Sequence, residues 1–373
     1  MIEVFPTDRR RAVFWLVACL GLPAALLAAP GTQAPRPERA IAWKDSLDQP
    51  PAWYKSAEAL LVADNVVLYQ RHDGGWPKDI DMAAPLSPAA RAAVVGEKDL
   101  NDSTIDNGST YGQLRFLARM IDATRIERFR APFFNGLDYL FGAQYPNGGW
   151  PQYYPLRTDY SRYITFNDNA MVGVMTLLRD VASGKTPFRF VDKARRERAQ
   201  RAINRGLDVI LRSQIRAGRR LTAWCAQVDP VTLEPRGARS YEHPSTSGKE
   251  SVDIVRYLLK IGRPSPAVVD AIEGAVQFLR ENRVTGIRLV TKADPTLPDG
   301  RDVEVVPDAE GSPLWARFYE LGTNRPIFSG RDGVVKYSLA EIERERRAGY
   351  SWLGPYATDL LETEYPAWRQ RIR

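Results

Sequence analysis

Three tryptophans recur at a fixed interval, and this repeat is the strongest constraint on the fold. The stretch DGGWPKDID at 73–81 matches NGGWPQYYP at 147–155, and both follow a glutamine in the pattern Q-x-x-x-G-G-W-P. Trp76 and Trp150 lie 74 residues apart, and Trp224, in LTAWCAQVD, lies 74 residues further on. Self-similarity at a fixed period is typical of architectures in which equivalent units stack and share a core. The chain is therefore expected to contain three such units.

Apolar residues at helical spacing flank each tryptophan. The positions are Ala59, Val62, Ala63 and Val66, then Leu114, Leu117, Ala118 and Ile121, around Trp76; Phe134, Leu137 and Phe141, then Val174, Leu177, Leu178 and Val181, around Trp150; Ile203, Leu207 and Ile210, then Val252, Val255 and Leu259, around Trp224. The pattern predicts a helix, an irregular loop and a second helix, three times. Closed into a ring, such hairpins give an all-α, (α/α)3 toroid-like barrel with long irregular loops, and an open helical stack is the alternative.

The composition is that of a globular protein and allows an anionic partner. The 373 residues carry a formal net charge of +7, and 10% of them are aromatic. A basic, aromatic-rich surface suits nucleic acid or an acidic polysaccharide. A few surplus arginines that only solvate the surface explain the charge equally well, so charge alone does not decide between these interpretations.

The first forty residues have the features of a targeting segment. A basic run, DRRR, at 8–11 precedes an apolar stretch at 12–29, and small residues and prolines follow. Pro23 and the alanine-rich end favour a signal peptide over a membrane anchor. A secreted or periplasmic protein without membrane attachment is expected, and lipidation at Cys19 is the alternative. The predicted organisation is a signal peptide and start of the linker at 1–34, with cleavage near 29–34, a Pro-rich linker at 35–42, the main domain at 43–365 and a C-terminal tail at 366–373.

Cysteine and histidine are too scarce for most metal and nucleophile chemistry. Beyond the leader only Cys225 remains, so no internal disulfide is expected, and no C-x-x-C or H-E-x-x-H pattern predicts a zinc site. A buried structural thiol is expected at Cys225. The two histidines, His72 and His243, leave few possible bases for a serine or cysteine triad.

Two aspartates occupy corresponding places at the starts of neighbouring helices. The second helix of the first unit begins with TIDNGSTYG and that of the second with TFNDNAMVG, so Asp106 and Asp168 are expected in corresponding places at neighbouring helix starts. An aspartate in this place is typical of a helix N-cap. Because the loops connect equivalent helix ends, both acids are expected on one face, beside Asn107, Asn167 and Asn169. Carboxylate and amide oxygens are the ligands that calcium takes, so a calcium site is the competing interpretation.

Arginines accompany these acids. Arg239 lies in the third loop, EPRGARSYEHPS, and Arg317 and Arg331 lie in the non-helical segment PLWARFYELGTNRPIFSGRDG at 313–333. Guanidinium groups bind carboxylates bidentately, although ion pairs within the protein are an equally common use for them. Acids, arginines and aromatics together fit an acidic sugar polymer better than DNA, and an exported protein seldom meets nucleic acid.

Several long strings resemble those of the family 10 pectate lyases (polysaccharide lyase family 10), from about Trp43 to Leu361. These strings are GGWPKDIDM, STIDNGSTYGQLRFLARM, GWPQYYP, ITFNDNAMVGVM, ARSYEHPSTSGKESV and PLWARFYELGTNRPIFSGRDG. The resemblance implies an (α/α)3 toroid and calcium-dependent cleavage of de-esterified polygalacturonate, the backbone of pectin. Cleavage would follow β-elimination and give 4,5-unsaturated oligogalacturonides. A monomer without a nucleic-acid partner is expected.

The resemblance also implies roles for individual residues. It makes Arg239, in ARSYE, the catalytic base. Residue types alone leave His243 as a rival base, because a guanidinium group normally stays protonated. The loop at 292–311 is long for the family, so subsite contacts are not carried over to it. The other matched residues are Asp106 and Asp168 as calcium ligands, and Asn107, Arg317, Arg331 and Arg346 as substrate-binding residues.

Two other functions fit the residues without the resemblance. An inverting glycoside hydrolase on an α/α toroid would use Asp106 and Asp168 as acid and base, about 6.5–9.5 Å apart. A non-catalytic polyuronate-binding protein would use the same arginines without turnover. Unsaturated product ends and a calcium requirement distinguish a lyase from both.

Overall fold

A computed structural model describes residues 41–372. From Ile41 onward the chain is one structural unit. The predicted signal peptide, the alternative lipidation site and most of the predicted linker lie outside the described residues. Between residues 41 and 372, no helix is both long enough and apolar enough to cross a membrane.

Ten α-helices dominate the regular structure of the described chain, which confirms the all-α prediction. Their bounds are α1 Ala57–Tyr69, α2 Pro88–Gly96, α3 Tyr111–Thr124, α4 Arg130–Ala143, α5 Ala170–Ser183, α6 Lys193–Arg212, α7 Glu250–Leu259, α8 Pro266–Glu281, α9 Arg344–Ala348 and α10 Tyr365–Arg371. A π-helical turn, Leu360–Glu364, leads directly into α10. Short 3-10 turns lie at Trp43–Asp45, Trp53–Lys55, Asp106–Gly108, Glu127–Phe129, Tyr160–Arg162, Asn167–Asn169 and Leu339–Glu341.

The helices pack as three hairpins, each with a short connection. These are α3 with α4, α5 with α6 and α7 with α8. The first helices of the hairpins also contact one another in sequence, with α1 against α3 and the turn Leu360–Glu364 against α7. This is the architecture of the predicted (α/α)3 toroid. The hairpins begin one helix later than the sequence pattern suggested, because the tryptophan loops link successive hairpins instead of closing each one.

Each tryptophan of the repeat is fully buried and ties its loop to the preceding helix. In all three, the indole Nε1 donates a hydrogen bond of 2.7 Å to a backbone carbonyl near the end of that helix. Burial of the indole and satisfaction of its polar atom together fix where each loop leaves its helix. The donor and acceptor pairs are Trp76 and Val66, Trp150 and Leu140, and Trp224 and Ile210.

The glutamine of the repeat joins each loop to the second helix of the next hairpin. Gln70 Nε2 donates to Gly74 O and to Pro132 O of α4, both at 2.8 Å. Gln144 and Gln214 make the same pair of bonds to their own loops and to α6 and α8. The repeat also needs its first glycine, because a Cβ on Gly74 would lie 2.4 Å from a carbonyl oxygen of α4.

A fourth equivalent of the repeat follows α8. Trp315 is buried, and its Nε1 donates to Leu279 O at 2.7 Å, as the earlier tryptophans do to their helices. It lies 91 residues after Trp224, because an antiparallel β-hairpin of strands Ile287–Ala293 and Arg301–Pro307 precedes it. A fixed interval of 74 residues does not reach Trp315, so the sequence pattern predicted only three units. The expected loop at 292–311 instead contains most of this hairpin.

The other strands of the described chain are only two residues long. Their antiparallel pairs are Ile164–Thr165 with Gln227–Val228, Arg216–Ala217 with Arg220–Leu221, Thr246–Ser247 with Phe318–Tyr319, Trp315–Ala316 with Leu353–Gly354, and Phe328–Ser329 with Val335–Lys336.

We expect Trp150→Ala to lower the free energy of unfolding by about 3–5 kcal/mol, because it empties a fully buried site and removes the bond to Leu140 O. Urea denaturation followed by circular dichroism measures the change. Leu156→Ala is the control, because Leu156 is 48% exposed and its loss should cost less than about 0.5 kcal/mol. Equal destabilisation by both variants would contradict this role of the tryptophan.

Candidate functional site

Two short 3-10 turns place the predicted acidic residues. Asp106–Gly108 precedes α3, and Asn167–Asn169 precedes α5. The middle residue of each turn has a left-handed backbone: Asn107 in the first, with φ of 49°, and Asp168 in the second, with φ of 47°. Asp106 and Asp168 are therefore offset by one position, and the expected correspondence between them is wrong. In the described structure neither carboxylate caps α3 or α5, so the N-cap interpretation is not observed.

A lysine binds each of these carboxylates. Lys78 Nζ lies 2.6 Å from Asp106 Oδ2, and Lys249 Nζ lies 2.8 Å from Asp168 Oδ1. Burial opposes ionisation of Asp168, yet Arg317 and Lys249 hold its pKa below the usual value. Asp106 Oδ1 is buried and has no hydrogen-bond partner. One acid is thus held in its charged form, and the other keeps an oxygen for a further ligand.

One pocket joins the two acids to Arg239. The residues that were predicted as calcium ligands, Asp106 and Asp168, therefore meet the predicted base Arg239, together with Asn107 and Asn167. They meet because the starts of α3 and α5 and the loop before α7 lie at the same end of the hairpins. The complete lining is Lys78, Asp106, Asn107, Gln152, Tyr160, Asn167, Asp168, Gln227, Ala238, Arg239 and Glu242.

Arg239 is held by a buried carboxylate. Its Nε donates to Glu242 Oε2 and its Nη2 to Glu242 Oε1, both at 2.7 Å. Glu242 is 4% exposed and also accepts a 2.7 Å bond from the hydroxyl of Tyr350. The hydrogen bond to Glu242 raises the pKa of Arg239 above its ordinary value, and burial opposes this effect without cancelling it. The guanidinium orientation is therefore fixed, and its neutral form is made rarer.

Arg317 is almost fully buried beside the pocket. Its Nη2 donates to Glu250 Oε1 at 2.8 Å and to Asn167 Oδ1 at 2.7 Å, and lies 3.4 Å from Asp168 Oδ1. Its guanidinium carbon lies 4.5 Å from the centre of the Tyr350 ring. In this structure Arg317 holds the turn that carries Asp168 against α7. Its predicted contact with the substrate stays a prediction.

The other two predicted substrate arginines lie outside this pocket. Arg331 is exposed and forms an ion pair of 2.8 Å with Glu345. Arg346 is buried, with its guanidinium carbon 4.7 Å from the centre of the Tyr241 ring and its Nη2 donating to Gly349 O at 3.2 Å. Their contacts with substrate carboxylates also stay predictions.

Histidine and cysteine chemistry finds no support at this pocket. His243, the rival base, is not among the lining residues, and its Nε2 lies 3.1 Å from Ser329 Oγ. Partial burial lowers the pKa of His243. Cys225 is buried, as expected, and burial raises the pKa of its thiol. The geometry therefore favours Arg239 over His243 as the base.

The oxygen donors at the pocket fit a hard cation that takes some of its ligands from elsewhere. Asp106 and Asp168 offer carboxylate oxygens, and one of these, Asp106 Oδ1, is buried without a partner. Calcium takes about six to eight oxygen ligands. Within residues 41–372, no group of three or more His, Cys, Asp or Glu side chains could hold a metal ion by itself. Two carboxylates thus fit a calcium site that water and an anionic ligand complete.

Four residues at the site were missed by sequence reasoning. Lys78 and Lys249 follow the glycine-rich strings GGWP and STSG, and Glu242 lies three residues after Arg239, so all three stand inside strings that had already been singled out. Tyr350 lies more than 100 residues away from the Glu242 that it binds. Nothing in a single sequence shows which carboxylate such a residue will meet.

A toroid of helical hairpins, with acids, arginines and aromatic rings gathered at one end, suits a protein that acts on an anionic polysaccharide. Comparison with known families agrees. The family model described as pectic acid lyase matches residues 70–361. The chain therefore belongs to the pectic acid lyase family, and the prediction of a polysaccharide lyase is confirmed.

Solved structures give the same result. The family 10 polysaccharide lyase from Cellvibrio cellulosa is 31% identical, with a TM-score of 0.71, and the match covers 87% of this chain and 94% of that one. A mutant of the family 10 lyase from the same organism, in complex with trigalacturonic acid, is 32% identical, with a TM-score of 0.72, and the match covers 88% of this chain and 99% of that one. Among curated proteins, no sequence matches this chain.

Proposed function

We propose that this protein cleaves de-esterified polygalacturonate by calcium-dependent β-elimination and releases 4,5-unsaturated oligogalacturonides. The observation that supports this most directly is the single pocket that Asp106, Asp168 and Arg239 line in a member of the pectic acid lyase family. The trigalacturonic acid bound to the Cellvibrio cellulosa mutant supports an acidic galacturonate substrate for this chain as well. The hydrolase and the polyuronate-binding protein remain as outcomes of the test below.

The two aspartates are the proposed calcium ligands. Asp106 would contribute the buried Oδ1 that has no partner, and Asp168 would contribute the carboxylate that Arg317 and Lys249 keep ionised. When bound, calcium would supply positive charge beside the uronate carboxylate, where negative charge develops during the reaction. Lys78 and Lys249 each bind one oxygen of these acids and fix its direction.

Arg239 is the proposed proton acceptor. In β-elimination the C5–H bond breaks, its proton passes to the base and its electron pair forms the C4–C5 double bond. The glycosidic oxygen leaves C4 with the electron pair of the C4–O bond and takes up a proton from water. Glu242 binds Nε and Nη2 of Arg239, which leaves Nη1 to face the substrate. An arginine side chain can accept a proton only while it is in its rare neutral form. The positive charges of Lys78, Lys249 and the bound cation favour that neutral form and so oppose the effect of Glu242.

We expect Glu242→Gln to shift the pH profile of kcat/KM towards lower pH by about one unit. The hydrogen bond from Arg239 to Glu242 raises the pKa of Arg239, so removal of the negative charge lowers that pKa and increases the neutral fraction at a given pH. Initial rates across the alkaline range measure the shift. Glu234→Gln is the control, because Glu234 lies in the same loop but does not line the pocket. An unchanged profile, or a shift to higher pH, would contradict Arg239 as the base.

Mass analysis of the products tests the reaction type. A lyase gives one oligomer that is lighter by one water than a hydrolysis product, because elimination adds no water. Oligomers with the full hydrolytic mass would instead show the inverting hydrolase. Polymer binding without shorter products would show the binding protein.

A further inference from the structure

A second and larger cleft, of about 480 Å³, adjoins the pocket that holds Asp168. Two residues of its lining connect it to that pocket: Arg317 lies 3.4 Å from Asp168, and the hydroxyl of Tyr350 donates to Glu242. A polymer that occupies the pocket can therefore continue into the cleft. The lining is Asp299, Arg301, Arg317, Ala348, Gly349, Tyr350 and Ser351, of which the first two stand at the tip of the β-hairpin.

Two guanidinium groups in this cleft have hydrogen-bonding capacity that no partner uses. Arg317 is 4% exposed, and its Nε is buried without a hydrogen-bond partner. Arg301 is exposed and forms no ion pair within residues 41–372, although Asp299 belongs to the same lining. A buried donor without a partner beside an unpaired guanidinium suits an anion with the geometry of a carboxylate.

The β-hairpin holds Arg301 in a fixed position. Asp302, the next residue, is 4% exposed and accepts bonds from Arg344 at 3.1 Å and Arg347 at 2.6 Å, both on α9. Asp294, on the other side of the hairpin tip, accepts a further bond from Arg344. The tip is thus anchored by buried carboxylates on both of its sides. A fixed backbone reduces the conformational entropy that binding has to remove.

We infer that this cleft is a subsite for the carboxylate of one galacturonate unit, and that Arg301 determines its preference for a charged unit. The inference rests on the proposed function, because it assumes an acidic polymer in the neighbouring pocket. A methyl ester would lose the charge that the guanidinium fork binds, so the subsite selects a de-esterified unit. The recognising residue comes from the β-hairpin that interrupts the tryptophan interval.

Arg301→Ala is expected to raise KM for polygalacturonate about three- to tenfold and to change kcat by less than about twofold, because it removes one charge-assisted contact at an exposed position. Arg301→Glu should raise KM further through repulsion, and Arg301→Lys should restore part of the affinity. Arg288→Ala is the matched control: Arg288 lies on the same hairpin, pairs with Asp308 at 3.3 Å and does not line the cleft.

Direct binding separates this inference from the proposed function. Calorimetry measures the affinity for polygalacturonate of the intact chain, of Arg301→Ala and of Arg288→Ala, with each variant's thermal unfolding midpoint as the check on folding. If both variants keep lyase activity and have the same KM and the same affinity for polygalacturonate, the subsite is overturned and the proposed function is unaffected. If the intact chain has no lyase activity and only Arg301→Ala binds polygalacturonate more weakly than the intact chain, the proposed function is overturned and the subsite is supported. A fall in kcat at unchanged KM in Arg301→Ala also overturns the subsite.

Discussion

Arg239→Ala is expected to lower kcat on polygalacturonate by about a thousandfold, which is within the usual contribution of a positioned base. The affinity for the polymer should change little, because Lys78, Lys249 and the arginines of the adjoining cleft remain. Initial rates give kcat, and calorimetry gives the affinity of the same variant. Loss of turnover with retained binding identifies Arg239 as a residue that acts on the reacting atoms.

The control for this variant is Arg236→Ala in the same loop. Arg236 pairs with Asp229 at 3.0 Å and does not line the pocket, so its loss should leave kcat within about twofold. Removal of Arg239 leaves the buried Glu242 with Tyr350 as its remaining side-chain partner, which threatens stability. The double variant Arg239→Ala/Glu242→Gln removes that charge and should fold with the same loss of activity. Retained lyase activity in Arg239→Ala or in the double variant would contradict the assignment of Arg239 as the base.

Asp168→Asn is expected to lower activity at limiting calcium by about a hundredfold, with partial recovery when calcium is raised. The reason is that calcium affinity follows the number of charged ligands, and one of the two proposed carboxylate ligands is neutralised. Activity titrated against calcium measures the effect as a shift of the midpoint. Asp106→Asn should give the same kind of shift.

Asp180→Asn controls for the general effect of neutralising an acid on α5. Asp180 pairs with Arg115 at 3.0 Å and does not line the pocket, so the calcium midpoint should not move. Asp168 also holds Lys249 and Arg317, and a purely structural role would lower activity equally at every calcium concentration. That flat loss would contradict Asp168 as a calcium ligand.

Much of the fold could be predicted because it rests on local patterns. Trp76, Trp150 and Trp224 each stand after an apolar helix, and the burial of these residues produces both the repeat and the helical spacing. Trp315 was not recognised as a fourth tryptophan of the repeat, because the β-hairpin lengthens its unit and a fixed interval cannot reveal a repeat of another length. The hairpin boundaries were misplaced for a related reason: periodicity shows which residues are buried, but it does not show which helix covers them.

The candidate site could be predicted in part. Asp106, Asp168 and Arg239 lie in loops whose common location follows from the repeat, and the structure brings them to one pocket. The one-residue offset between the two aspartates is already present in the sequence, since Asp106 stands two residues and Asp168 three residues after the threonine that both strings share. The structure keeps this register, with the left-handed conformation at Asn107 and Asp168, and asparagine and aspartate both tolerate it. The ion pair between Arg239 and Glu242 could have been predicted, since Glu242 follows Arg239 by three residues. The deep burial of Glu242 could not be predicted from the sequence.

The most direct test of the central claim is the ultraviolet absorbance of polygalacturonate incubated with this protein at alkaline pH, first with calcium and then with a chelator. We predict a steady rise with calcium, because β-elimination conjugates the new C4–C5 double bond with the carboxylate, and we predict that the chelator stops it. New reducing ends without this absorbance, or a rise that the chelator leaves unchanged, would contradict calcium-dependent β-elimination.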